Sequence, residues 1–148
     1  MRHAIACLLC LGLVWIGTST AVAEEIFISI VKSVEGGATI TRGDTTHAVT
    51  SGMEVKRADI IRTDRNGHVG LVFSDDTRIS IGPGTELTID SYLFEPLENN
   101  LSFVLRLVRG TVSYLSGQIA KLAPEAVQLV LPAATIGVRG THVLIKVD

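Results

Sequence analysis

From Ile26 onward the chain alternates apolar and polar residues over short stretches and interrupts them with turn residues. Ile26 to Lys32 sets Ile26, Ile28 and Ile30 against Phe27, Ser29 and Val31, which predicts a strand with both faces partly apolar. Gly36-Gly37 ends it. Ala38 to Arg42 is a second short strand with Ile40 inward, Gly43-Asp44 turns the chain, and Thr46 to Thr50 resumes it. Ser51 to Thr63 shows no clean period. It predicts a turn into a short strand, anchored by Val55 and Ile60, with Asp59 hydrogen-bonding nearby backbone amides. Asn66-Gly67 is a turn signal, after which Val69, Leu71 and Phe73 share a face. Ser74-Asp75-Asp76 turns the chain into Ile79 and Ile81, and Gly82-Pro83-Gly84 turns it again into Leu87 and Ile89.

Beyond a polar loop at Glu95 to Asn100, Leu101, Phe103, Leu105 and Leu107 lie on one face of a strongly apolar run. Arg109-Gly110 is expected to break that run before Val112 and Tyr114. Gly117 to Ala126, with weak helical character and Pro124, reads as a loop, and Val127, Leu129 and Leu131 alternate after it. The last stretch, Ala133 to Val147, predicts a strand pair meeting at Gly137-Val138-Arg139-Gly140-Thr141. Gly137 and Gly140 permit positive φ or close backbone approach, Val138 points inward and Arg139 outward, and Val143, Ile145 and Val147 share a face. No long 3.6-residue stripe occurs. Short strands with turn signals about every 8–12 residues imply a single all-β domain. A sandwich, a partly open barrel and a β-solenoid all satisfy this spacing.

The first 23 residues read as an address. Arg2 and His3 precede an uncharged apolar run, Ala4 to Ile16, and Ala21-Val22-Ala23 forms a small-residue cleavage pattern. A helical signal peptide, residues 1–23, cleaved after Ala23, is the expectation, with an uncleaved anchor as the alternative. The mature domain is then 24–148 and periplasmic or secreted. Cys7 and Cys10 both fall in the leader, so the mature domain is expected to lack thiols, disulfides and thiolate metal sites. About 125 residues bury roughly two-thirds of their unfolded surface, enough for a core without staples.

Removing Arg2 leaves 12 basic against 15 acidic residues, a net charge of −3, with no basic block. Nucleic-acid binding, which needs a positive stripe to neutralise phosphates, is not expected. His47, His68 and His142 show no ligand spacing, and Asp44, Asp59, Asp75 and Asp76 form no EF-hand pattern, so no metal and no cofactor are expected. No Gly-x-Ser-x-Gly elbow is present, and nothing marks Glu95 and Glu98 as an acid–base pair. Arg139, held between two glycines, has two readings. One is an anion contact with a partner. The other is an internal cap that donates to backbone carbonyls or to Asp59.

Taken in order, these segments resemble the FecR domain family. Gly52 to Thr63 resembles the family's G-x-x-L-x-x-G-D-x-I-x-T segment through Asp59, Ile60 and Thr63. Val69 to Ile81 resembles its strand, Asp-Gly turn and strand; Thr85 to Ile89 its S-x-L-x-I step; Leu107, Gly110 and Val112 its L-x-x-G-x-V step. Gly137 to Thr141 matches its closing G-V-R-G-T. The resemblance covers roughly residues 30 to 147 and implies an all-β, solenoid-like domain. Ala58 stands where the family often has Gly, and Asp76 where Asp-Gly is usual, which implies locally different turns. FecR-type signalling regulators add a cytoplasmic anti-sigma segment, a membrane helix and a C-terminal signalling region. Here a leader precedes the domain and Asp148 closely follows it, so a stand-alone module outside direct sigma-factor control is expected.

The functional expectation is a non-catalytic, periplasmic FecR-like module for protein interaction or ligand sensing, possessing no membrane span in its mature form. Its partner would be another envelope protein, and its candidate interaction or structural-motif residues are Asp59, Gly137, Arg139, Gly140 and Thr141. The alternative is a cell-wall or carbohydrate-acting enzyme or binding protein. The sequence fixes neither the partner nor the oligomeric state.

Overall fold

The computed structural model describes residues 26–148; the expected leader, its cleavage after Ala23 and both cysteines lie outside the described residues. The described residues form twelve strands: β1 (Ser29–Glu35), β2 (Ala38–Arg42), β3 (Thr45–Ala48), β4 (Glu54–Val55), β5 (Ile60–Thr63), β6 (His68–Phe73), β7 (Arg78–Ile81), β8 (Glu86–Glu95), β9 (Asn100–Leu115), β10 (Val127–Val130), β11 (Thr135–Gly137) and β12 (His142–Val147). The one α-helix among the described residues, α1 (Gln118–Leu122), is a single short turn.

Strict alternation places the strands. Val69, Leu71 and Phe73 of β6 and Ile79 and Ile81 of β7 are buried, while Arg78 and Ser80 between them are exposed. β1 and the residues just ahead of it carry apolar side chains on both faces, as expected, with Ile28 buried. Ser29 and Val31 are buried, whereas Ile30 is 40% exposed and Ile26, ahead of the strand, 81%. The register of β1 against β6 shifts between Val31 and Ser33, so one face does not run its whole length. In β5 the fully buried anchor is Ile61, with Ile60 half-buried; Val55 is buried as expected.

β9 organises the molecule. Over Asn100 to Arg109 it pairs with β8, and over Val112 to Leu115 with β7. Its first part belongs to one half of the sheet (β3-β2-β5-β8-β9, then β10 and β11). Its second part belongs to the other (β9-β7-β6-β1-β4, with β12). Gly110, at φ +98°, sits where the strand passes from one half to the other, so the expected break at Arg109-Gly110 is a bend inside one 16-residue strand. Thr85 packs directly on Gly110, at a place a Cβ would occupy.

The result is a curled half-barrel of mostly antiparallel strands, all-β as expected. It is not built as a solenoid. Stacked rungs would pair in parallel, and the only parallel ladder among the described residues joins β9 to β10. A parallel pair needs a crossover, and Ser116 to Ala126 supplies it through α1 and a 3₁₀ turn, where a loop was expected. The closing strand pair is corrected as well. β11 pairs with β10 and β12 pairs with β9, so Gly137 to Thr141 crosses between halves and does not make a hairpin.

The concave side holds the core. Phe103 lies 5.0 Å from Phe73, 5.6 Å from Tyr92 and 5.8 Å from Tyr114, ring centre to ring centre, in edge-on contacts that join the two halves. Edge-on rings place the positive rim of one on the negative face of the next, adding about 0.5–1.5 kcal/mol per pair beyond burial.

Candidate functional site

Three clusters carry the polar chemistry. The first surrounds Asp59, which is 1% exposed. Lys56 to Asp59 form a tight turn whose third residue, Ala58, has φ +68°. That turn aims the Asp59 carboxylate back at the Lys56 amide, which donates to Oδ2 at 2.8 Å. Arg42 at the end of β2 closes the site: Nε donates to Oδ1 at 2.9 Å and Nη2 to Oδ2 at 2.6 Å. Nη2 also reaches the Glu54 carbonyl at 3.1 Å. A two-pronged guanidinium–carboxylate pair of this kind fixes geometry as well as charge. Asp59 thus ties β2, the β4 connection and β5 together, and its guanidinium partner is Arg42, not Arg139.

The second cluster was not legible beforehand. Asp75 in the β6–β7 turn is fully buried. Its carboxylate accepts from the Thr77 amide (3.2 Å), the Thr77 hydroxyl (2.7 Å), the Ile119 amide (3.1 Å) and the Tyr92 hydroxyl (3.1 Å). The Asp75 amide donates to the same Tyr92 oxygen at 3.0 Å, and the Asp75 carbonyl accepts from Gln118 at 2.7 Å. Asp75 therefore caps α1 from a distant turn. Desolvation by burial, then the adjacent Asp75 charge, pushes the Tyr92 phenol well above its ordinary range. Burial does the same to Tyr114, pushed up to about 12. The Tyr114 hydroxyl has no hydrogen-bond partner. The Asp-x-Thr spacing was the available signal, since it favours a local side-chain turn; the partners on β8 and α1 are long-range and left no mark in the sequence.

The third cluster is the Gly137 to Thr141 crossing. Val138 is 2% exposed and plugs the core. Gly137, Arg139, Gly140 and Thr141 are exposed. Gly140 takes φ +133°, whereas Gly137 keeps negative φ. Ser116 staples the segment: its hydroxyl donates to the Gly140 carbonyl, and its amide to Thr141 at 2.8 Å. Arg139 makes no hydrogen bond or ion pair with any described residue. The five candidate residues therefore do not form one site. Asp59 lies in a buried strut, and the other four lie on the exposed crossing.

The remaining candidates are scattered. His47 and His68 are exposed, and His142 shares a 2.6 Å hydrogen bond with Ser113. Glu95 and Glu98 both receive Asn100. Among the described residues no group of three or more His, Cys, Asp or Glu could hold a metal ion, and no helix is long and apolar enough to cross a membrane.

Ala58 and Asp76, which stand where the family often has glycine, have φ +68° and φ +67°, the left-handed conformation glycine adopts most easily. The family model described as "FecR protein" matches residues 59–148. Neither the comparison with curated proteins nor that with solved structures gave a match. The family is one of non-enzymatic, signalling-related envelope domains. Its match begins at the buried Asp59, takes in the Asp75 turn and the β9 bend, and runs through the Arg139 crossing; on that span the chain belongs to the FecR protein family.

Proposed function

We propose that this domain is a non-catalytic, exported module, residues 24–148 after removal of the leader, that docks another envelope protein through the surface carrying Arg139. The single observation behind this reading is the placement of Arg139. It is the exposed cation of a segment pinned from beneath by Val138 and from the side by Ser116. A charge held on a fixed backbone, without a partner among the described residues, is ready for a carboxylate on another chain. The buried carboxylates, by contrast, are spent on the fold: Asp59 on Arg42 and Lys56, Asp75 on Tyr92, Thr77 and α1.

Photo-crosslinking in intact cells, with the reactive side chain at position 139, tests this. A discrete heteromeric adduct is expected, lost when a neighbouring docking residue such as Thr141→Arg is introduced. Recovery of monomer alone at every expression level would overturn it. Sequencing the purified protein's N-terminus checks the export half of the reading, which expects Glu24 as the first residue.

A further inference from the structure

We propose that the groove beside β1 binds an extended, apolar segment of a partner protein that carries acidic side chains. This goes beyond the docking reading above: it names a place other than the Arg139 crossing, and a chemistry. The groove has a volume of about 510 Å³ and lies on the outer side of β1, β6 and β7. Its floor is Phe27, 41% exposed, Ile30, 40% exposed, and Val72, paired with Ile30 across the ladder. Arg78 is next in the same cross-strand row, and Lys32 stands two residues along β1 from Ile30. Neither cation has a hydrogen bond or ion pair with a described residue. The Ser29 hydroxyl, in the wall, is buried without a hydrogen-bond partner.

A second cavity, also about 510 Å³, shares Phe27 and Ser74 with the first and continues past Leu93, Phe94 and Glu95, whose carboxylate is held by Asn100, to Lys56 and Arg57. Arg57 likewise lacks a side-chain partner among the described residues. Two neighbouring cavities that share Phe27 and Ser74 suit an extended chain better than a compact ligand. The apolar floor takes alternate side chains of a strand. These cations along its length select carboxylates between them, and a like-charged partner would be rejected.

The test uses the full exported chain and two synthetic peptides, Ile-Asp-Val-Glu-Leu-Asp and its counterpart with Lys at each acidic place, both blocked at their ends. The acidic peptide is expected to bind. Lys32→Glu with Arg78→Glu should weaken it about tenfold or more and should transfer binding to the basic peptide. Ile30→Ser should weaken both. An unchanged far-UV spectrum and melting temperature show that these exposed substitutions leave the fold intact. Equal affinity of the acidic peptide for the parent and the double variant would overturn the proposal. So would failure of the acidic peptide to bind the parent chain, or tighter binding to phosphatidylglycerol vesicles than to the acidic peptide. A heteromeric adduct at position 139 without peptide binding would overturn this groove and leave the docking reading standing. Peptide binding without an adduct would support the groove and remove Arg139 from the interface.

Discussion

Two tyrosines on one aromatic cluster have opposite relations to their hydroxyls. Tyr92 gives and takes a hydrogen bond at Asp75, whereas the buried hydroxyl of Tyr114 has no partner. Removing a bonded group leaves a buried carboxylate short of a donor, while removing an unpartnered one relieves a desolvated atom. Tyr92→Phe is therefore expected to lower stability by about 1–3 kcal/mol, and Tyr114→Phe to leave it unchanged or raise it, as read by urea denaturation. The same groups set an alkaline limit. Both phenols hold their protons to higher pH in the folded chain than the unfolded value of 10.0, so their contribution is full below pH 10. As pH rises above that, the unfolded state sheds protons that the folded state keeps, and stability falls. Melting temperature should decline from about pH 10 upward, with a shallower decline in Tyr114→Phe. Ala58 and Asp76 offer a converse case. Each holds φ near +67° without being glycine. Left-handed backbone costs an L-residue roughly 1 kcal/mol, so Ala58→Gly is expected to stabilise the chain by about that amount.

The strands themselves were readable, because period-two alternation with turn residues between leaves little choice of element. β6, β7 and β8 lie where Val69, Leu71, Ile79 and Leu87 point. What alternation cannot show is which strand neighbours which. A run such as Leu101 to Val112 looks broken at Gly110, yet one strand passes through it, because a positive-φ residue bends a ladder without ending it. The Gly137 to Thr141 stretch looked like a hairpin turn for a related reason: two β-forming runs flank it, and only long-range pairing assigns them to different halves. Arg42 reaching Asp59 across 17 positions and Tyr92 reaching Asp75 across 17 more leave no local periodicity at all. The bend makes its own prediction. Gly110→Ala would drive a Cβ into Thr85 and force an L-residue to φ +98°. The two penalties together imply a loss of roughly 3 kcal/mol or more, measurable as a lower urea midpoint.

For the molecule as a whole, the division of labour is spatial. Buried carboxylates and their partners hold a curled sheet in shape, and the exposed crossing and groove carry cations without a partner among the described residues. FecR-family membership accords with an envelope signalling role, and the segments that carried the sequence resemblance fall within the matched span from Asp59 onward, while the start of the first one, Gly52 to Ala58, precedes it. The account stands on the separation of those two classes of residue, and one paired measurement reads it: melting temperature and in-cell adduct yield for Asp59→Asn beside Arg139→Glu, with the crosslinker at Thr141. Asp59→Asn is expected to lower stability by about 2 kcal/mol while its folded fraction still crosslinks. Arg139→Glu is expected to keep the parent melting temperature and lose the adduct. An Arg139→Glu protein that melts early, or one that crosslinks as well as the parent, would contradict the account.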